Sequence, residues 1–347
     1  MQDQLTSTQE TVSEKEWFEG YGVIAHSAET RKRIAEMAAT LSAENTAGDG
    51  VAFYDVLAAA DRIANAAMWL AVNQTYAAHI YTDGRDLKTD DFKKDPQGHL
   101  GGSLNMIPAY VGYMLANALT GTTRSWVMGQ GHAVAAIDSV NLLLGNMTEE
   151  HAARYALSED GLTRFARDFY SYSLNEDGKQ DSPLGSHVNP HTGGGHLEGG
   201  YLGFASVQYA HMPLPGESLV AFLSDGAFEE QRGADWTPRW WRAEDCGEVM
   251  PIMIANGRRI DQRTTMSQEG GVEWFIKHLE LHGFEPLVFD GRDPAAFAWA
   301  IWQQERRLRE YAANLDSVAH YHVPVPYGIA VAPKGAGFYN EGTNYAH

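Results

Sequence analysis

The sequence has one cysteine, Cys246, and a shortage of basic residues. A lone cysteine excludes an intramolecular disulfide and is typical of a reducing compartment, so we expect a cytoplasmic protein. The 347 residues contain 26 Lys and Arg against 45 Asp and Glu, a formal net charge of −19. No basic run offsets this charge, which argues against nucleic-acid and anionic-membrane partners.

Long apolar runs and the common nucleotide motifs are also missing. No apolar run approaches the roughly 18 residues of a membrane span, and the N-terminus lacks the basic-then-apolar order of a signal peptide. No Walker sequence is present, and Gly129-x-Gly131 is followed by Val134 where a dinucleotide site needs a third glycine. Binding of ATP or NAD is therefore disfavoured.

Short apolar runs alternate with helical patterns along most of the chain. Strands are predicted at 126–128, 219–223, 250–255, 286–289 and 327–332, and helices at 30–41, 61–80, 104–119, 133–144, 272–282 and 295–315. Asp293 as cap and Pro294 in the first turn are predicted to start the last helix. Residues 148–180 are polar. The alternation predicts an α/β fold with a doubly wound, mostly parallel sheet flanked by helices.

Residues 1–14 are predicted to form a flexible tail, and residues 15–347 a single α/β domain. Its first part, residues 15–97, is predicted to be a helical lead-in, because helix formers and apolar residues at three- and four-residue spacing dominate it. A hydrophobic content of 44% is ample for a core in a chain of this length.

Two of the predicted strands run into oxygen-bearing side chains. Leu219–Leu223 leads into Ser224-Asp225-Gly226, and Met250–Ala255 leads into Asn256-Gly257. If these strands are parallel neighbours, Asp225 and Asn256 lie close enough to reach one ion at the sheet edge where ligands bind. One carboxylate, one amide and a backbone carbonyl suit Mg²⁺ or Ca²⁺, and Mg²⁺ completes its shell with phosphate oxygens and water. The implied ligand is a diphosphate.

A plain pair of turns is the alternative explanation, because Asp-Gly and Asn-Gly are common turn dipeptides. The separation of the two residues, 256 − 225 = 31, is about the length of one strand–helix–strand unit. That spacing, with an apolar run before each residue, favours a shared site.

Several histidines stand beside glycines. His99 and His132, each next to glycine, precede apolar helices, where free N–H groups such as that of Gly131 favour an anion. Residues 182–210 add His187, with His191 at the i, i+4 spacing of a helical zinc pair. Pro190 and a glycine run disfavour a helix there, and with it a zinc site.

Six segments resemble transketolases and phosphoketolases in the same order, over about residues 80–346. They are GHLGGSLN (98–105), GQGHAVAA (129–136), SHVNPHTGGGHLEGGYLG (186–203), the SDG…NG pair (224–226 and 256–257), GFEPLVFDGRDP (283–294) and APKGAGF (332–338). SHxxP followed by EGGxLG, together with PIMIANGRRI, is more similar to phosphoketolases. Ser224 departs from the thiamine diphosphate signature, which has glycine there.

The resemblance implies a thiamine diphosphate-binding fold, in which Mg²⁺ (or Ca²⁺) is held by Asp225, Asn256 and the backbone carbonyl of Arg258. Gly226 would lie against the diphosphate, and Glu229 or Glu230 near a dimer contact close to the cofactor.

The resemblance also assigns the histidines. His99, His132 and His187 would line the channel to the reactive carbon of the cofactor, where they bond sugar hydroxyls and move protons. His347 falls at the position of a further active-site histidine.

The function implied is thiamine-diphosphate-dependent cleavage or transfer of a two-carbon ketol unit from a ketose phosphate. The family's pyrimidine-binding domain, which supplies an essential glutamate, has no counterpart in the sequence. We therefore expect a diphosphate-binding subunit that works with a separate pyrimidine-binding chain, most simply as α₂β₂, or a piece of a longer protein. Two alternatives remain: a sugar-phosphate epimerase of the xylulose 5-phosphate type, and a non-catalytic scaffold subunit, which Ser224 favours.

Overall fold

The computed structural model describes residues 11–46, 52–171, 173–178, 218–230, 248–314 and 325–346. The helices are α1 (Glu14–Trp17), α2 (Ala28–Glu44), α3 (Phe53–Tyr76), α4 (Leu100–Thr120), α5 (Val134–Leu144), α6 (Glu149–Arg154), α7 (Glu159–Asp168), α8 (Asp225–Glu230), α9 (Thr265–Glu269), α10 (Val272–Leu281) and α11 (Pro294–Ala313). The strands are β1 (Ser125–Met128), β2 (Ser218–Ser224), β3 (Glu248–Ala255), β4 (Phe284–Asp290) and β5 (Val325–Val331).

The described strands form one parallel sheet in the order β1-β2-β3-β5-β4. Helices cover both faces: the Tyr327 ring on β5 packs edge-to-face on Phe275 of α10, and the next residue, Gly328, lies against Gln304 of α11. The predicted α/β class and doubly wound parallel sheet are confirmed. Because all strands run the same way, their carboxyl ends share one edge.

Helix α4 packs closely on α11. A Cβ at Gly112 of α4 would lie 2.4 Å from Cβ of Phe297, so only glycine allows this approach. Phe297 is fully buried, and its ring meets Phe222 of β2 and Phe289 of β4 with centroids 6.4 and 5.0 Å away. The middle of α4 is thereby held against the start of α11.

The last helix begins as predicted: Asp293 accepts a hydrogen bond from the N–H of Ala295, and Pro294 is the first helical residue. Three helices, α3, α6 and α7, differ from the sequence prediction. Helix α3 spans Phe53–Tyr76 rather than 61–80, because the alanine-rich turns before residue 61 also favour a helix.

The polar stretch 148–180 contains two helices, α6 and α7, capped by Thr148 and Ser158. No residue of α6 is buried, and in α7 the buried large side chains are Leu162 and Phe165. The average polarity of the stretch hides so few buried side chains.

The chain is anchored before the predicted end of the tail. Ser13 and Glu16 form a capping box at the start of α1, and the N–H of Val12 donates to Asp55 of α3 at 2.5 Å. Among the described helices, none combines the length and apolarity needed to cross a bilayer.

Candidate functional site

Asp225 lies at the end of β2, beside the end of β3. The two strands are parallel neighbours, with Ser224 paired to Ile254. The Asp225 carboxylate accepts hydrogen bonds from the N–H groups of Gly226 (2.9 Å) and Gly257 (2.7 Å). Burial, only partly offset by these bonds, raises the pKa of Asp225 to about 7. A buried carboxylate of this kind needs a cation beside it to hold its charge at neutral pH.

Asn256 and Arg258 lie at the same corner. Oδ1 of Asn256 accepts from the N–H of Arg258 (3.0 Å), while its Nδ2 donates to Asn105 of α4 (3.3 Å). The backbone oxygen of Arg258 lies 3.7 Å from the point where a Cβ on Gly226 would stand. The carboxylate, amide and carbonyl predicted as metal ligands therefore lie around one turn at the edge of the sheet.

Lys334, which the sequence analysis did not select, lies next to this corner. It follows β5 and is buried, and its ammonium donates to the carbonyls of Arg259 and Ile260, both at 3.0 Å. Burial lowers the pKa of Lys334, and the charge of Arg258 lowers it further. A buried ammonium held by neutral carbonyls favours an anion in contact with it.

Asn105 joins three elements at this edge. Besides accepting from Asn256, its Oδ1 accepts from the N–H of Gly335 (3.1 Å), and its Nδ2 donates to the carbonyl of Pro333 (2.9 Å). These bonds tie α4 to the segments that follow β3 and β5. Because Asn105 accepts from the nitrogen of the Asn256 amide, the oxygen of that amide faces away from α4.

His99 and His132 lie together. Their rings meet edge-to-face with centroids 4.9 Å apart. His99 is the N-cap of α4, and His132 lies in the short 3-10 turn Gly131–Ala133 that precedes α5. A Cβ at Gly102 would lie 2.9 Å from Nε2 of His132, so glycine lets the ring approach α4. Two histidines at a ligand edge are suited to proton transfer near neutral pH.

The loop that leads to His132, residues 129–131, is hydrogen-bonded to the end of β2. The N–H of Gly129 donates to the carbonyl of Phe222 (2.8 Å), and Nε2 of Gln130 donates to the carbonyl of Leu223 (2.6 Å). This connection brings the His99 and His132 pair to the same sheet edge as Asp225. Gly131 is buried, and its N–H donates to the carbonyl of Gly129 (2.8 Å), so this N–H is not free for an anion as the sequence analysis expected.

Two buried polar atoms at this edge have no partner within the described residues: Oε1 of Gln130 and Oγ of Ser103. An unmet buried polar group costs about 1–3 kcal/mol, so such atoms mark places where a polar ligand would be stabilising. At Gly226 a Cβ would meet nothing closer than 3.5 Å, which leaves space beside the backbone. The oxygen ligands, the buried ammonium and these atoms fit a diphosphate with its divalent metal.

Glu229 is used within the fold. Its carboxylate accepts from Arg259 (2.7 Å) and from the N–H groups of Thr265 (2.8 Å) and Met266, at the start of α9. These contacts describe a helix cap with an ion pair. The Glu230 side chain, His187 and His347 lie outside the described residues, as does the segment 182–210.

A second buried cluster, also missed from the sequence, consists of His26, Asp61 and Asp293. Nδ1 of His26 lies 2.8 Å from Asp293 and Nε2 lies 3.1 Å from Asp61, while the Trp17 ring covers the imidazole at 4.0 Å. Burial alone would lower the pKa of His26, but hydrogen bonds and the charges of both aspartates raise it to about 9.

The three side chains of this cluster have metal-ligating atoms within 4.8 Å of one another. The two ring nitrogens of His26, however, point to different aspartates from opposite edges of the ring. One ion cannot use both contacts, whereas a protonated imidazole satisfies both. The geometry is that of a buried ion-pair cluster.

The chain is similar in sequence to phosphoketolases. The family described as "XFP N-terminal domain" matches residues 54–319. A probable phosphoketolase of Rhodopseudomonas palustris (strain BisB5) is 26% identical over 290 residues, which cover 81% of this chain and 36% of that protein. The xylulose-5-phosphate phosphoketolase of Lactiplantibacillus pentosus is 26% identical over 287 residues, 79% of this chain and 35% of that protein.

The chain thus spans about a third of the length of the curated relatives it matches. Among solved structures, the R525L mutant of transketolase from Pichia stipitis aligns with a TM-score of 0.45 at 17% identity, over 82% of this chain and 38% of that one. The transketolase of Campylobacter jejuni aligns with a TM-score of 0.40 at 16% identity. The family match extends over most of the chain and includes the Asp225 corner and the His99 and His132 pair. The chain therefore belongs to the phosphoketolase family, through its XFP N-terminal domain.

Proposed function

We propose that this chain is the diphosphate-binding part of a thiamine-diphosphate-dependent enzyme that cleaves or transfers a two-carbon ketol unit from a ketose phosphate. The observation that carries the proposal is the Asp225 corner. There the ends of two neighbouring parallel strands place a carboxylate, an amide and a backbone carbonyl around one turn. Membership of the phosphoketolase family supports the choice of cofactor.

In this proposal Asp225, Asn256 and the carbonyl of Arg258 hold Mg²⁺ or Ca²⁺. Gly226 lies against the diphosphate, and the ammonium of Lys334 contacts its oxygens, whose negative charge offsets the burial of that ammonium. Glu229 is left out, because its carboxylate already caps α9 and pairs with Arg259.

When bound, thiamine diphosphate supplies the carbon nucleophile for a ketose carbonyl and the electron sink for cleavage of the adjacent carbon–carbon bond. The protein's part is binding and proton transfer. His99 and His132 are proposed to bond sugar hydroxyls and to hold or accept the proton that leaves the hydroxyl next to the broken bond. Their edge-to-face contact keeps the two rings together at the edge of the sheet. His187 and His347 are proposed to join them.

A complete active site is proposed to need a pyrimidine-binding domain, which supplies a glutamate to the cofactor's aminopyrimidine ring. The relatives are roughly three times as long as the part that matches, so they have room for such a domain. It would come from a separate chain, most simply in an α₂β₂ assembly, or from elsewhere in a longer polypeptide.

A non-catalytic scaffold remains the alternative from a different class. Ser224 in place of glycine favours it, but Ser224 ends β2 in register with β3, and Asp225 keeps its place at the corner. The retained ligands favour the enzyme. Sugar-phosphate epimerisation, the other alternative, has no specific contact in its support.

The test is an assay for ketose phosphate cleavage with phosphate as acceptor, alongside the solution mass of the protein. The purified chain is measured alone and then with a phosphoketolase-type pyrimidine-binding domain added. We expect activity only in the mixture, together with a larger complex. Full activity from the 347 residues alone would contradict the need for a partner domain. A complex that binds thiamine diphosphate but cleaves nothing would support the scaffold instead.

A further inference from the structure

A cavity of about 260 Å³ lies between the end of α3, residues 93–97 and the end of α7. None of its lining residues belongs to the β2 and β3 corner. Its volume is slightly below the range of about 300–1,000 Å³ for drug-sized ligands, and suits a smaller molecule.

Three cationic side chains line this cavity: Lys93, Lys94 and Arg167. The carboxylate among the lining residues is Asp95, which already accepts from Gln97 at 3.1 Å. Within the described residues none of the three cations has an ion-pair partner. This excess of positive charge stands out in a chain whose formal net charge is −19.

Lys93 is held inward by neutral groups. Its ammonium donates to the carbonyl of Gln74 (2.7 Å) and lies 5.6 Å from the centre of the Phe169 ring. Burial lowers the pKa of Lys93 to about 8. Arg167 is also positioned by neutral groups, since its Nε donates to the carbonyl of Ala78 (3.1 Å) and its Nη2 lies 2.6 Å from Nε2 of His79. Arg167 is exposed, whereas a bound anion would supply the counter-charge that the partly buried Lys93 lacks.

Two aromatic residues, Phe169 and Tyr170, line the cavity, and the backbone of Tyr170 is strained. The Phe169 and Tyr170 rings meet edge-to-face at 4.5 Å, and Tyr170 has a φ of 56°, which costs a non-glycine residue about 1–3 kcal/mol. Such strain concentrates at ligand sites. Rings beside cations offer an apolar surface for the body of a ligand and charge for its anionic end.

The cavity is also next to the catalytic histidine proposed above. A Cβ on Gly98 would lie 3.0 Å from the Phe169 ring, and Gly98 directly precedes His99. A ligand that moves Phe169 would therefore press on the backbone of His99.

From these contacts we propose that the cavity is a second anion site, separate from the diphosphate corner, which binds a small phosphomonoester through Lys93, Lys94 and Arg167. Because the cavity lies next to Gly98, such a ligand would shift the backbone of His99. The binding part of this inference does not depend on the proposed function; only its effect on His99 does.

The test is calorimetric titration in EDTA, at constant ionic strength, with inorganic phosphate, glycerol 3-phosphate and uncharged glycerol. We expect one site for glycerol 3-phosphate, weaker binding of inorganic phosphate, and none of glycerol. Lys94→Gln and Arg167→Gln should each weaken binding on the order of tenfold, the usual effect of losing one charge-assisted hydrogen bond. Lys94 is exposed and makes no hydrogen bond within the described residues, so Lys94→Gln keeps the fold even if Arg167→Gln does not.

The matched control is Lys277→Gln, which removes one positive charge from an exposed pair on α10 and should leave binding unchanged. Saturating Mg²⁺ and thiamine diphosphate should not displace the phosphomonoester. If the cofactor displaced the phosphomonoester and Lys94→Gln did not weaken its binding, the anion would lie at the Asp225 corner. That result would overturn the proposal. Absence of binding at millimolar concentration would overturn it too, while cofactor binding would still test the proposed function separately.

Discussion

At the scale of single residues, His99 and His132 form the most direct link between structure and chemistry. If they handle protons on the substrate, alanine at either position should lower turnover of the complete enzyme by a factor of about 10² or more. Cofactor affinity should stay within a few-fold, because neither ring belongs to the metal corner. The measurement is kcat beside the thiamine diphosphate dissociation constant.

The control for this pair is His151→Ala on α6, where the ring contacts Tyr155. It should leave turnover unchanged. If His99→Ala or His132→Ala instead abolished cofactor binding or folding, the histidine replaced in that variant would be structural.

The buried His26 cluster makes a different prediction, on stability. His26→Gln leaves Asp61 and Asp293 buried without their cation, so the free energy of unfolding should fall by about 3–5 kcal/mol in urea titration. Lys32→Gln, which breaks an exposed 3.9 Å pair with Glu36, should cost less than about 0.5 kcal/mol.

The stability supplied by His26 also depends on pH. The pKa of His26 is raised from 6.5 to about 9 in the folded state. Its contribution is therefore fully present below about pH 6.5 and lost as the pH rises through 9. Unfolding measured from pH 6 to 10 should show this loss in the wild type and not in His26→Gln. If the free energy of unfolding depended on pH in the same way in both proteins, the assignment of a charged His26 would be wrong.

The neighbouring positions of Asp225 and Asn256 were predicted because their signal lay in one stretch of sequence, and their role as metal ligands stays a prediction. Asp225 and Asn256 each end an apolar run, and their spacing matches one strand–helix–strand unit. Lys334 gave no such signal, because its carbonyl partners at Arg259 and Ile260 are 75 and 74 residues away. Asn105 likewise bonds Pro333, 228 residues along the chain. Contacts of this range follow from the folded topology alone.

At the scale of elements, the strands were predicted best, because a parallel sheet buried on both faces leaves continuous apolar runs. The capped start of α11 was predicted for a local reason, the Asp-Pro pair. The start of α3, and α6 and α7, were not predicted. No residue of α6 is buried, and α7 buries only two large side chains, Leu162 and Phe165, within a stretch that is polar on average.

The contact between α4 and the segment after β5 gives a prediction at this scale. A Cβ at Gly101 would lie 1.9 Å from the carbonyl oxygen of Ala346 and 2.8 Å from Cε of Lys334. Gly101→Ala should displace that segment and weaken thiamine diphosphate binding by about tenfold or more, with helical content unchanged.

Alanine is a better helix former than glycine by about 1 kcal/mol, so a loss in Gly101→Ala cannot come from helix propensity. Circular dichroism and calorimetric titration measure the two effects. Undiminished affinity would mean that the segment after β5 takes no part in cofactor binding.

At the scale of the whole molecule, the proposal is that this chain contributes one side of a composite site. In this proposal the sheet edge provides the metal ligands, Lys334 and the two described histidines. The ordered motifs predicted the family, which the comparisons confirm. Composition gave no signal for the cationic cavity at Lys93, because three basic residues from two separate segments disappear in an average over 347 residues.

The most direct test of the central claim is the affinity for thiamine diphosphate with Mg²⁺ and with EDTA. The claim predicts tight binding that requires Mg²⁺ in the wild type and in the control Asp290→Asn, which alters the carboxylate at the end of β4. Asp225→Asn keeps the shape of the side chain and should weaken binding at least tenfold, as should Asn256→Ala. Affinity that is independent of Mg²⁺ and equal in all four proteins would contradict the claim.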